Sequence, residues 1–211
     1  MKHFTLAFCL VCSMFVALAQ ADYHQEIKLY ATELYQSFSK TQKQVALLAF
    51  NDTSRIKWNN LPVGLRARAG VSVGNMTNAQ RQLVHRMLSA ALSSQGYLKA
   101  TGIMHLDELI NRFYDSMHVQ KKLPDASYKF VQTLQWSPKN YYFAFFGSPL
   151  ENTWGFKLEG HHLSVNFTFQ CANISVTPFF VGTDPAEFLM SEYAGWRVLG
   201  QEEDMGLKLV Q

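Results

Sequence analysis

Cysteine is scarce in this chain. Three occur in 211 residues, and two of them, Cys9 and Cys12, lie in an apolar N-terminal run that is expected to be removed. The mature chain then keeps Cys171 alone, which excludes an intrachain disulfide and a cysteine-type metal cluster. Cys171 reads as a strand residue packed as a small hydrophobe. Charge of one sign is lacking as well. Nineteen Lys and Arg stand against sixteen Asp and Glu, for a net charge of +3. They are scattered, with no basic stripe, which excludes nucleic acid as a partner. No glycine-rich phosphate loop and no low-complexity segment occur. The apolar run Phe4–Ala19 is shorter than the roughly 20 residues that a membrane-spanning helix requires. Lys2 and His3 precede it, and Ala19-Gln20-Ala21 supplies a small-x-small cleavage site. The stretch 1–21 therefore reads as a signal peptide cut after Ala21, the alternative being an uncleaved anchor. The expectation is a secreted or periplasmic protein with no membrane attachment after cleavage.

Apolar residues make up 48% and charged residues 17%, the balance of a folded chain. Sixteen Phe and nine Tyr favour strands and an aromatic core. Residues 22–211 are expected to form one α+β domain, with N-terminal helices packed on an antiparallel β meander. A helical part spans 22–120, a β-rich part 128–180, and a C-terminal helix starts over 200–211. Ile27, Tyr30, Leu34 and Phe38 recur at helical spacing, and Thr41 is placed to cap a short helix through Phe50. Thr77-Asn78-Ala79-Gln80 is a capping box that opens the helix carrying Leu83, Met87 and Ala91, with Gly96 as its stop. His85 reads as exposed. A further helix runs over 102–117, with Asp107 and Glu108 near its start, as the helix dipole prefers. Residues 128–134 read as a short strand. Between these elements, 58–74 is irregular, and Arg55, Arg66 and Arg68 around it read as solvated or paired rather than as an anion site.

From Lys139 the apolar period changes from 3.6 to 2. Tyr141–Phe146 reads as a buried strand, Trp154–Phe169 as a long strand interrupted at Gly160, and 173–179 as a third, limited by Pro178. Asn51, Asn75, Asn166 and Asn173 head formal glycosylation sequons. The long strand holds the chemistry: Glu159, Gly160, His161 and His162 lie among aromatic residues. On an unbroken strand Glu159 and His161 share a face and His162 points away, unless a bulge at Gly160 turns both imidazoles to one side. Three readings follow. Glu159, His161 and His162 ligate a divalent metal such as zinc, iron or manganese. Alternatively, Glu159 orients His161 as a metal-free general base. In the third, the histidines are structural, bonded within a sheet. The catalytic and metal candidates are the same three residues.

The run Tyr141-Tyr142-Phe143-Ala144-Phe145-Phe146-Gly147-Ser148-Pro149, followed by Trp154-Gly155-Phe156-Lys157-Leu158-Glu159-Gly160-His161-His162-Leu163-Ser164-Val165-Asn166, resembles the family called domain of unknown function 3500. Thr177–Ala186, Gly195-Trp196-Arg197-Val198-Leu199, Gly64-Leu65, Gln80-Arg81 and Gly96-Tyr97 fit the same pattern. The resemblance implies no activity. It implies that members often carry Arg where this chain has Lys157. They also usually continue into a second helix-plus-strand unit with its own His-x-His strand, which would leave this chain half a site, a homodimer that rebuilds one, or an inactive truncated member. Two functions follow as expectations: an exported metal-dependent hydrolase or oxidoreductase acting on an unknown small molecule, or a non-catalytic binding or scaffold domain.

Overall fold

The computed structural model describes residues 23–210, and the expected signal peptide with its cleavage site lies outside them. Helix α1 covers residues 23–37 and α2 covers Lys40–Ala46. The cap of α2 is Ser39, not Thr41: Ser39 Oγ accepts from the Gln42 N–H and the Gln42 side chain reaches back to the Ser39 N–H. The helix stops at Ala46 because Leu47–Leu48 leaves as strand β1. After an irregular stretch comes β2, Val71–Ser72, then α3, Asn78–Ala91, opened by the expected Thr77 capping box. Gly96 does not end this helix. The break comes at Leu92, and Ser93 caps a new helix, α4, Ser94–Val119, by accepting from the Gly96 N–H.

Helix α5, Asp125–Leu134, replaces the short strand expected over 128–134. Val131 and Leu134 are its buried residues, and Tyr128 donates to Asp115 of α4 at 2.8 Å. That helical spacing of contacts overrides the strand preference of Tyr128, Phe130 and Val131. Strands β3 (Tyr142–Phe146), β4 (Thr153–Glu159), β5 (Leu163–Gln170), β6 (Asn173–Ser175) and β7 (Phe179–Val181) follow, and α6 spans Gly200–Lys208.

β3, β4 and β5 form the antiparallel meander, and β1 joins the free edge of β3 in parallel. The chain is α+β. The expected strand over 154–169 is two strands, because the chain reverses at 160–162. The register pairs Phe156 with Phe167 and Leu158 with Val165, so even-numbered residues of β4 share a face with odd-numbered residues of β5. The expected third strand is likewise split: β6 and β7 both pair with β5, separated by Pro178, which has no N–H for a ladder. Cys171 sits in the turn between β5 and β6 at φ 52° and is exposed, so it is not the packed strand residue expected.

One face of the meander is aromatic. Phe156 stacks on Phe143 and Phe167 with centroids 5.7 and 4.7 Å apart, and Trp154 stacks on Phe169 at 4.2 Å. Cross-strand aromatic pairs of this kind add to area burial. Ile27 and Leu34 of α1, Phe38 just after it, Met87 and Leu88 of α3, and Ile103 of α4 close over that face.

The opposite face is polar and also buried: Lys157, Glu159, Ser164 and Asn166. It lies under the irregular stretch after β1, whose carbonyls need donors. Lys157 Nζ donates to Ser54 O at 2.6 Å and to Lys57 O at 3.0 Å, and Asn166 Nδ2 donates to Arg55 O. Arg55 and Arg68 are thus engaged within the fold. Arg55 donates to Phe50 O and Thr168 Oγ1. Arg68 lies with its Nε 3.1 Å from Glu159 Oε1 in an ion pair without hydrogen-bond geometry, and its terminal nitrogen donates to Asn59, Leu61 and Gly160 carbonyls. Asn166 is fully buried, which removes its sequon from use in the folded state.

Candidate metal centre at the hairpin tip

The Gly160 N–H donates to Leu163 O at 2.8 Å, closing a turn whose two central residues are His161 and His162. Strand alternation is suspended at a turn tip, so neighbouring side chains can lie side by side. The two imidazoles stack with centroids 3.6 Å apart and planes 29° apart. A chain reversal, not a bulge, brings them together. Gly160 is required because a Cβ there would stand 2.4 Å from Tyr141 Cδ1 and Cε1.

The third member of the cluster is Asp107 of α4. Ligand atoms of Asp107, His161 and His162 all lie within 4.8 Å of one another. Asp107 is 2% and His161 7% exposed. Tyr141, fully buried, donates its hydroxyl to Asp107 Oδ2 at 2.8 Å. Burial, then the Asp107 charge, pushes the Tyr141 phenol well above its ordinary pKa, so it stays a donor. That bond fixes the carboxylate and leaves Oδ1 facing His161 Nδ1 across 3.6 Å. The separation is too long for a hydrogen bond, and both atoms are buried without a hydrogen-bond partner.

Of the three residues singled out in the sequence, His161 and His162 come together. Glu159 does not join them, because its oxygens are committed elsewhere. Oε1 accepts from the Asn59 N–H at 3.2 Å and pairs with Arg68, and Oε2 lies 2.6 Å from Lys157 Nζ. Its role is in the polar layer beneath the hairpin. Asp107 was missed, although a signal existed: it stands four residues after Ile103 and three before Ile110, inside the buried stripe of α4. A carboxylate there has to be paired or ligating.

His162 is half-buried. Burial, then the neighbouring His161, lowers its pKa from 6.5 to about 4, against the opposing charges of Asp107 and Asp184. The ring is neutral at pH 7, with a lone pair free for a metal. His85 is half-buried, not exposed as expected. Its Nδ1 lies 3.0 Å from Tyr97 Oη, and desolvation lowers its pKa too. In both cases the unfolded chain takes up a proton at a higher pH than the folded one, so unfolding becomes easier as pH falls below about 6.5. Metal-free protein is expected to lose about 2 kcal/mol between pH 7.5 and pH 4 through His162, after allowing for the solvent that still reaches it. Urea titrations across that range check this, and His162→Gln should flatten the dependence.

A cleft of about 470 Å³ opens beside the cluster. Leu109 and Ile110, within a turn of Asp107, line it, as do Trp136, which stacks on His161 at 6.2 Å, and Asp184, whose charge reaches His162. A shallower hollow of about 540 Å³ over α3 lies away from the cluster, and its Arg81 is already bound to Val73 and Gly74 carbonyls. Among the described residues no helix is long and apolar enough to cross a membrane.

Comparison with curated proteins and with solved structures gave no match. One family model matches residues 20–211, nearly the whole chain, and the segments that carry the resemblance include the hairpin with both histidines. The chain therefore belongs to the family described as "Protein of unknown function (DUF3500)".

Proposed function

We propose that Asp107, His161 and His162 hold a divalent metal ion and that the protein is a metal-dependent hydrolase. The observation that carries this reading is the pair of buried, unpartnered atoms, Asp107 Oδ1 and His161 Nδ1, 3.6 Å apart. Leaving two such groups unsatisfied is costly, and a cation between them satisfies both. Two imidazoles and one carboxylate form a ligand set that suits zinc, iron or manganese, and zinc is the ion whose catalytic sites use three such protein ligands. Three protein ligands leave one position for water, the arrangement of catalytic zinc. When bound, such an ion would lower the pKa of its water to about 7 and so would supply a nucleophile. The residues of this chain would do the rest. Tyr141 would hold Asp107 in place, Trp136 would pack on His161, and the neutral His162 would offer a ring nitrogen that lies within 4.8 Å of the other two ligand atoms.

Elemental analysis of the purified, zinc-equilibrated chain should find one ion per chain. Asp107→Asn, His161→Ala and His162→Ala should each weaken binding at least 100-fold while keeping the far-ultraviolet circular dichroism of the parent. Asp107→Asn should leave the metal-free protein as stable or more so, because it removes a buried charge. Binding that is absent, or unchanged in all three variants, removes the proposal.

A further inference from the structure

The cleft beside the cluster carries a charge pattern that the metal reading does not use. Its apolar wall includes Phe188 and Tyr193, which pack around Trp196 at centroid distances of 6.4 and 5.9 Å. Its charged residues are Arg112, Asp184, Glu187 and Glu192. Among the described residues none of these four forms an ion pair. Some exposed charges elsewhere are paired, as Arg197 is with Glu203 and Asp204 at 2.6 and 2.7 Å, and others, such as Glu33 and Lys129, stand alone among the described residues; what sets the cleft apart is that its acids line an aromatic wall. Three free carboxylates against one guanidinium give the cleft a surplus of negative charge at an aromatic surface.

We infer that this cleft binds an organic cation, an amine attached to a flat apolar body, with the ring against the aromatic wall and the ammonium group among the carboxylates. Carboxylates and aromatic faces both favour a cation, and they act on the same group when it lies between them. An anionic ligand meets the surplus charge as repulsion. A neutral ligand gains only the burial of its ring. Asp184 stands two residues after Gly182, whose N–H donates to the His162 carbonyl at 2.8 Å, and Glu187 and Glu192 lie further along the segment. The ammonium group belongs toward Glu187 and Glu192, away from a metal dication. The inference deepens the proposed function by naming its ligand class, yet the cleft is built without the metal and can be tested without it.

Three probes of one shape and different charge decide the matter: phenethylamine, 2-phenylethanol and phenylacetate, titrated calorimetrically into the full chain after chelator treatment. Without metal, neither the amine nor the carboxylate can gain by coordination. Phenethylamine should bind about tenfold tighter than 2-phenylethanol, a difference of about 1.4 kcal/mol, and phenylacetate weakest. The preference should shrink as salt is raised. Glu187→Gln combined with Glu192→Gln should bring the amine down to the alcohol and leave the alcohol unchanged. Equal binding of the three, tighter binding of phenylacetate, or no amine binding at millimolar concentration overturns the inference. Failure of the metal reading shows separately: zinc stoichiometry collapses while the amine preference stands.

Discussion

Glu159→Gln is expected to destabilise the metal-free protein by about 3–5 kcal/mol, the cost of stranding buried charge. The substitution keeps shape and removes one negative charge. Lys157 and Arg68 then face each other with side chains 2% exposed, and of the carboxylates only Asp52 still acts on the Lys157 charge. In a chain of this size that corresponds to a fall in melting temperature of roughly 10 °C. Lys157→Met makes the contrast. It removes a cation from a cluster with two cations and one anion, leaving Arg68 and Glu159 matched, so it should cost less, although Ser54 and Lys57 carbonyls lose a donor. Thermal melts in chelator give both numbers. A Glu159→Gln cost under 1 kcal/mol, or a larger cost for Lys157→Met, would show that the polar layer is not held by this carboxylate. The measurement also separates two roles for Glu159. As a metal ligand it would matter to zinc binding and little to metal-free stability. In the polar layer the order is reversed, with a weaker effect on zinc passed through Arg68, which donates to the Gly160 carbonyl at the base of the turn.

The sequence carried the sheet more clearly than the site. The run from Tyr141 to Phe146 and the Thr77 capping box were readable because local pattern and tertiary role agree there. The reversal at the histidines was also written in the pattern. Trp154, Phe156 and Leu158 are even-numbered, whereas Leu163, Val165, Phe167 and Phe169 are odd-numbered, and all of them lie in one apolar cluster. A change of phase across 159–162 is what a hairpin demands and what an unbroken strand forbids. Reading the stretch as one strand put Glu159 on the same side as His161 and so made it a ligand candidate. Asp107 was hidden for a different reason. With the helix taken to begin at Gly102, its place looked like an ordinary dipole-favoured acid, but α4 begins at Ser94, so the residue lies in mid-helix on the buried side. Helix α5 escaped because its buried face is short and its residues favour strands. Only packing on α4 decides it.

Gly160→Ala should be the most damaging single-methyl change near the cluster, costing about 3 kcal/mol through overpacking and weakening zinc binding 10- to 100-fold. The new Cβ would stand 2.4 Å from two carbons of the Tyr141 ring and 2.8 Å from a third. That ring has no room to yield. It is fully buried, its carbonyl accepts from the Val73 N–H at 2.7 Å, and its hydroxyl holds Asp107. If the ring shifts, Asp107 loses its anchor. If the hairpin lifts instead, both imidazoles leave the carboxylate. Either way a residue with no ligand atom of its own would control the proposed centre. A double-mutant cycle with Tyr141→Ala isolates the cause. Removing the ring opens space for the methyl group, so Gly160→Ala should cost far less in that background than in the parent. Strict additivity would mean that the ring is not the obstacle and that the glycine is needed for the backbone path of the turn alone. Zinc titration of Gly160→Ala gives the second readout: affinity equal to the parent, despite the lost stability, would detach the turn from the metal centre.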